Sequence, residues 1–492
     1  MDLNGDGDQL DSVVVYAPSN TETYRYGLTT SLLYDLDEAN HFQLAYTLDY
    51  GHHRQTGEYT SVDPTTGDPA DVFGAKAGYG PPILTADGSV LEKRDRLSIA
   101  MLNQISANYI GKFADDRLHV NIGVRAPFFQ RDVNQYCYTY NGTSAWCDSV
   151  SPTQVQAAYA ADLAADRLPG ARAVALSNLL SVTNPTAPTC IAVPSSCSVG
   201  ASISTGPGGV PNFRFPFSQT FKWNKLLPNA GVSFRLTDNN LIYGSYARGF
   251  AAPKTDDLYT STGITVTPET SDNFAVGYRF LSRRFTFSVS GYYDFFQNRI
   301  VQSYDPTDPT LSIDRNVGNV LVRGVDLEAG LTPIDHFNLY ASANFNSSKL
   351  ESNYTLTTSG VTFALPTKGK ELVMTPDRTF AARATYDIGD VTFGGQVKYI
   401  SSRFISDTND ASVPGYTVFG IDAKWRIPEL NGSYLQVNVQ NLFDKYYISR
   451  STTVSNSVAY PIPGTALTYF PSTNFLYVGA PRTIQMTLGF QF

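Results

Sequence analysis

The chain closes on "RTIQMTLGFQF", Arg482 to Phe492. Side chains alternate across an extended backbone. Ile484, Met486, Leu488, Phe490 and Phe492 therefore share one side, and Thr483, Gln485, Thr487, Gly489 and Gln491 the other. One face is apolar and the other wet. A half-buried strand of a soluble sandwich alternates in the same way, so the choice of solvent rests on the remainder of the chain.

The pattern recurs upstream. Phe42, Leu44, Tyr46, Leu48 and Tyr50 alternate with Gln43, Ala45, Thr47 and Asp49. Leu118, Val120, Ile122 and Val124 alternate with His119, Asn121, Gly123 and Arg125. Phe285, Phe287, Val289 and Tyr293, then Val325, Leu327 and Leu331, and then Leu339, Ala341, Ala343 and Phe345 continue it. One residue breaks the rule: Asn103 falls on the apolar side of Leu97, Ile99, Met101 and Ile105, and nothing in the sequence accounts for it.

The connections decide the architecture. Short turns fall near 35–41, 113–117, 236–240, 280–284, 332–336, 387–390 and 428–431, most of them carrying Asp, Asn, Gly or Pro. Between them lie long connections at 51–92, 132–213, 252–266, 301–312, 353–372, 404–412 and 451–479. In an up-and-down meander alternate connections share an end. One end therefore has tight turns and the other extended loops, the asymmetry of an outer-membrane barrel. The expectation is an all-β transmembrane antiparallel up-and-down barrel of about 16 strands, an even number as such barrels use. Its apolar faces meet lipid, its polar faces line a wet lumen, and its last strand seals the sheet, since only a closed sheet satisfies every backbone group in a bilayer. Trp425 and Tyr386, beside short turns, fit an interfacial aromatic girdle.

Composition agrees. Aromatic residues make up 13% of the 492 residues and charged residues only 16%, below the roughly 25% of typical soluble chains. A net charge of -8 and a pI near 5.2 argue against a nucleic-acid partner. No run approaches the roughly 20 apolar residues of a membrane helix. The opening "MDLNGDGDQL" shows no export signal.

Several longer strings resemble the TonB-dependent outer-membrane receptor family. They are "KLLPNAGVSFRLTDNNLIYGSYARGFAAP" (225–253), "TPETSDNFAVGYRF" (267–280), "NVGNVLVRGVDLEAG" (316–330), "PGYTVFGIDAKW" (414–425), "LQVNVQNLFDKYY" (435–447) and the terminal strand. Asn441, Leu442, Phe443, Asp444 and Tyr447 match the family's Asn-Leu-Phe-Asp-x-x-Tyr signature. The resemblance covers most of the chain. It implies a barrel of about 22 strands around an N-terminal plug. Residues 1–492 would then be the barrel portion, with a long extracellular loop at 132–213, and the plug and its TonB-contacting segment would be missing. It also implies an energised importer, not an enzyme, in the outer membrane of a Gram-negative bacterium. The ligand it implies is most often a ferric siderophore, with cobalamin or an oligosaccharide as alternatives. A passive porin and a barrel enzyme are the competing classes; the scattered His41, His52, His53, His119 and His336 supply no triad for the latter.

Candidate site residues are few. Arg125 and Arg131, on the wet face of a strand rising to the mouth, are placed to attract an anionic iron chelate or, in the plainer reading, to pair with neighbouring carboxylates. Asp2, Asn4, Asp6 and Asp8 resemble a calcium loop, with Val13 where the bidentate Glu belongs. No other cofactor is expected. Cys137 and Cys147, and Cys190 and Cys197, fall as two close pairs in the longest loop and read as two local disulfides. Metal ligation by the same cysteines lacks a supporting spacing. Residues 153–168 read as a helix in that loop.

Overall fold

A computed structural model describes residues 14–75, 80–83, 90–140, 147–148, 213–214, 216–259, 267–304, 312–358, 361–430, 432–470 and 474–490. Sixteen strands form one antiparallel wall. They are β1 Asn20–Asp35, β2 Asn40–Glu58, β3 Glu92–Phe113, β4 Leu118–Gln135, β5 Phe217–Asn224, β6 Leu227–Thr237, β7 Asn240–Ala251, β8 Glu269–Leu281, β9 Phe285–Gln297, β10 Val320–Ile334, β11 Phe337–Leu350, β12 Arg378–Ile388, β13 Val391–Ile400, β14 Tyr416–Arg426, β15 Tyr434–Gln440 and β16 Thr483–Gly489. Neighbours in sequence are neighbours in the wall, with one interruption. β5 and β6 both pair with β4, β5 along Phe128–Gln135 and β6 along Leu118–Arg125, and the line breaks at Lys225 and Leu226. The seven tight turns all fall where the sequence places them.

The apolar residues of this wall are exposed. Met486 is 71% exposed, Val276 66%, Ile122 54% and Ile421 47%, and Trp425 and Tyr386 lie open beside short turns. A continuous uncovered apolar band of this extent has no place in water. In a bilayer it is the surface a spanning sheet requires, because lipid takes the outside while neighbouring strands satisfy the backbone. The protein is a transmembrane β-barrel wall. Many strands overrun the membrane: β3 has 22 residues where about 9–11 suffice.

Asn103 now has a reason. Leu48 lies opposite it across the β2–β3 ladder, and the hydroxyl of Tyr46, one step along the same apolar face, donates to Asn103 Oδ1 at 2.7 Å. Each polar group satisfies the other at the lipid surface.

One expectation fails. Among the described residues β1 pairs only with β2 and β16 only with β15, so the last strand does not seal the sheet. A sheet closes only where its first and last strands pair, and barrel diameter grows roughly linearly with strand number, so strand count and curvature together decide closure.

The conventional core lies elsewhere, at the long-loop end. Val317, Val320, Leu350, Phe363, Leu365, Ile462 and Tyr469 are buried together there. The long connections carry hairpins of their own: Tyr354–Thr358 with Val361–Leu365, Ile448–Ser451 with Leu476–Val478, and Tyr460–Pro461 with Thr468–Tyr469. Phe363 and Leu365 of the first hairpin and Tyr469 of the third belong to this cluster.

The Asn-Leu-Phe-Asp-x-x-Tyr string forms a bulge between β15 and the long loop. Asn441 and Asp444 take positive φ, 49° and 51°, a conformation that short polar side chains tolerate best. Asn441 Oδ1 accepts from the Lys445 amide at 2.8 Å, and its Nδ2 donates to the carbonyls of Lys445 and Ala480. Asp444 Oδ1 accepts from the Arg482 amide at 2.8 Å. Tyr447 lies flat on Gly479, where a Cβ would meet the ring at 2.0 Å. The signature thus ties the penultimate strand to the last one.

Candidate functional site

The polar positions of β2 to β5 face the lumen, and near the long-loop end they stop being merely polar. On β3 the alternation sends Arg94, Arg96, Ser98 and Ala100 inward. Register places Ala100 opposite Arg131 and Ser98 opposite Val133 on β4. Phe221 of β5 pairs with Arg131, and Trp223 with Phe129; His53 of β2 pairs with Ser98. Four strands thus bring arginines and aromatic rings to one patch. The Trp223 ring stacks on Phe129 at 5.8 Å and on Phe221 at 5.7 Å between centroids, and the Arg131 guanidinium sits 5.2 Å over the Phe129 ring.

A short helix, α1 Thr255–Tyr259, folds over this patch from the β7–β8 connection. Leu258 and Tyr259 pack with Val133 and Phe217. The Tyr259 hydroxyl donates to the Leu97 carbonyl at 2.6 Å. Arg96 lies 4.7 Å from the Tyr259 ring centroid, donates to Gln55 Oε1 at 2.7 Å and forms an ion pair with Asp256. Arg131 Nη1 donates to the Pro253 carbonyl at 3.2 Å and to Thr255 Oγ1 at 2.7 Å.

The patch holds more positive charge than its carboxylates answer. Among the described residues only Arg96 of these three arginines has an ion-pair partner, and the Nε atoms of Arg94 and Arg131 are buried without a hydrogen-bond acceptor. These residues lie more than ten positions from the tight turns, beyond the membrane-spanning part of their strands. Burial lowers the Arg94 guanidinium, with the charge of Arg96 adding to it, and burial lowers Arg131. Burial also lowers His53, again with Arg96 contributing, and holds the Tyr259 phenol far above its ordinary value. Partly desolvated cations beside flat rings favour an anion that also offers a flat or apolar surface.

Arg131 therefore sits in the patch, bonded to a carbonyl and a hydroxyl; the expected pairing with carboxylates is not found for it among the described residues. Arg125 lies on the same wall six positions nearer the tight turns, exposed, opposite Ser106 and Leu227. At about 3.3 Å per residue that is roughly 20 Å from Arg131, so the two do not form one site. Cys137 and Cys147 are joined in a disulfide with Cα atoms 5.4 Å apart, and Cys147 pairs with Glu92 and Thr139, fixing the loop base to β3. Cys190, Cys197, the 153–168 segment and Asp2, Asn4, Asp6 and Asp8 lie outside the described residues. No group of three or more His, Cys, Asp or Glu side chains suited to a metal occurs among the described residues. His52 faces outward beside Tyr24, with ring centroids 5.8 Å apart, and His53 inward, as adjacent strand residues must.

Sequence reasoning missed Arg94, Arg96, His53, Phe221, Trp223 and Tyr259. The run "EKRDR" at 92–96 was the available signal: alternation sends its two arginines inward and leaves Asp95 to pair with Arg54 outside.

Comparison with known proteins agrees with this architecture. The family described as TonB dependent receptor-like, beta-barrel matches residues 2–442; the chain belongs to that family. The chain is 26% identical over 232 residues to the ferrioxamine receptor of Yersinia enterocolitica, covering 46% of this chain and 28% of the relative. It is 28% identical over 167 residues to the ferrioxamine B receptor of Salmonella typhimurium, covering 32% and 22%. The crystal structure of the ferric yersiniabactin uptake receptor FyuA from Yersinia pestis superposes with a TM-score of 0.57 at 13% identity, over 96% of this chain and 54% of that one. The curated matches thus span about a quarter of those relatives' length, and the structural match about half.

Proposed function

We propose that this wall is the barrel portion of a TonB-dependent receptor in the outer membrane of a Gram-negative bacterium, taking up a ferric siderophore. The long-loop end then faces outside and the tight turns face the periplasm. A plug domain bearing the TonB-contacting segment completes the receptor. The barrel is the passage and carries no catalysis of its own.

The observation that carries the reading is the lumenal patch near the outer mouth, where Arg94 and Arg131 keep buried nitrogens without acceptors beside three stacked rings. A ferric chelate of net negative charge supplies both the anion and the flat faces. The names of the ferrioxamine receptors and of a probable TonB-dependent siderophore receptor of Acinetobacter baumannii support iron as the cargo class.

The test uses the full receptor, expressed in a host lacking its own siderophore receptors. Uptake of radiolabelled ferric chelates should occur, require TonB, and fall by about tenfold or more in Arg94→Gln/Arg131→Gln, on the scale of two lost charge-assisted contacts. TonB-independent flux of small solutes would support a passive porin instead, and unaltered uptake in the variant would remove the patch from the mechanism.

A further inference from the structure

Three segments of the long connections are joined at one point of the loop cap. Ser406 bridges Val454 in parallel. The Asp407 and Thr408 amides donate to the Val454 and Ser455 carbonyls at 3.0 and 3.1 Å, and the Thr452 amide donates to the Phe475 carbonyl at 2.9 Å. Residues 405–411, between β13 and β14, are thereby tied to 452–458, and these to 474–475. Asp410 completes the join, accepting from the Ser406 hydroxyl and from the Ser457 and Val458 amides, the latter at 3.0–3.1 Å. Burial works against its carboxylate, yet those bonds, and the Thr408 hydroxyl nearby, hold it below the ordinary carboxylate value.

Around this join acceptor oxygens outnumber the groups able to donate to them. Ser406 and Asp407 are 0% exposed and Asn456 1%. Among the described residues Thr408 Oγ1, Asn456 Oδ1 and Asn474 Oδ1 are buried and make no hydrogen bond of normal length and angle. Turning the Asn456 amide round does not cure this, because its Nδ2 donates to the Val458 carbonyl at 2.7 Å and a reversed amide would set two oxygens face to face. Asn474 Nδ2 is engaged as well, donating to Ser457 Oγ at 3.4 Å, so its oxygen is again the atom left over. Nearby hydroxyls are committed: Ser406 to Asp410, and Ser455 to Tyr469 at 3.3 Å.

Oxygens short of donors beside a buried carboxylate suit a hard cation. Ca²⁺ takes about 6–8 oxygen ligands from carboxylates, amides, carbonyls and water in loose geometry, whereas Mg²⁺ demands a strict octahedron and softer metals favour nitrogen or sulfur. A water molecule fills the gap less well, since it brings two protons and no charge.

We infer that the cap binds one calcium ion where these three segments meet, through oxygens of Asp407, Thr408, Asn456 and Asn474. The site is distinct from the acidic string at Asp2–Asp8 and from the lumenal cargo patch, and it stands whatever cargo the receptor carries. With one carboxylate among neutral ligands its affinity is modest, about 0.1–1 mM, the range of extracellular calcium modules. The ion acts as a clamp, holding the β13–β14 connection to the one between β15 and β16.

The test is equilibrium dialysis of the purified full receptor, stripped with EGTA, against radiolabelled Ca²⁺. Asp2→Asn/Asp6→Asn is the background, so that the other acidic string contributes nothing. This protein should bind one ion per chain more than the same protein carrying Asp407→Asn, a change that keeps the shape and removes the charge, and Asn456→Leu should weaken binding by about tenfold or more. Mg²⁺ at about tenfold higher concentration should not displace the ion. Calcium should also raise the denaturant midpoint of the cap in the background protein and leave it unmoved in Asp407→Asn. Heat-dependent gel migration checks folding; where Asp407→Asn fails to fold, Thr408→Val, of the same shape without the oxygen, decides by a several-fold loss of affinity. Calcium binding equal in all variants, displacement by Mg²⁺, or no binding in the millimolar range would each overturn the site and leave these oxygens to buried water.

Discussion

Two regions of this molecule treat the same kinds of side chain in opposite ways. Along the wall Ile484 is 70% exposed and Val276 66%, while in the loop cap Leu365 and Val317 are 0% exposed. The strands leave their apolar face open because hydrocarbon covers it; the cap buries its own because water does. One chain is therefore built for two solvents, and the boundary between them falls where the strands leave the bilayer. The lumenal patch sits on the water side of that boundary.

The comparison breaks most visibly in the cap. Leu365→Ala should leave a cavity costing about 2–5 kcal/mol, read as a lower denaturant midpoint for unfolding of the cap, with the wall unfolding as before. A loss shared equally by cap and wall would show that they are one cooperative unit. On the wall, Val276→Arg lies near the bilayer midplane and should cost about 2–4 kcal/mol in lipid refolding experiments, whereas Ala275→Arg, one step along and facing the lumen, should cost well under half of that. Equal effects would mean that the two faces see the same medium. The smallest effect concerns the polar pair on the lipid face. Asn103→Leu deprives the Tyr46 hydroxyl of its acceptor and should cost about 1–2 kcal/mol, while adding Tyr46→Phe should restore most of the loss. A double variant no better than the single one would refute the pairing.

Much of the wall was legible in the sequence. Period-two alternation from Phe42 to Phe490 assigns each strand and its lipid face, and the tight turns fix the ends, because both are local properties of an extended chain. The cap hairpins were not legible: Tyr354–Thr358 and Val361–Leu365 pair inside a connection whose faces are covered by other loops, so no clean alternation marks them. Closure was misread for a related reason, since no local pattern states how far a sheet curves. The site was half legible. Arg131 announces itself by its inward position, but the residues that define its surroundings are distant in sequence. Arg96 meets Asp256 across 160 positions and Arg131 meets Pro253 across 122. Asn103 shows the same limit, its partner standing 57 residues away.

The central claim is that alternate residues of each strand meet hydrocarbon and water. Spin labels placed one at a time from Thr483 to Gly489 in the bilayer-embedded receptor test it most directly, read by collision with oxygen and with a water-soluble nickel complex. The account predicts a period of two, with Ile484, Met486 and Leu488 reached by oxygen and Thr483, Gln485 and Thr487 by nickel. A profile without that period, or with the two sets exchanged, would contradict it.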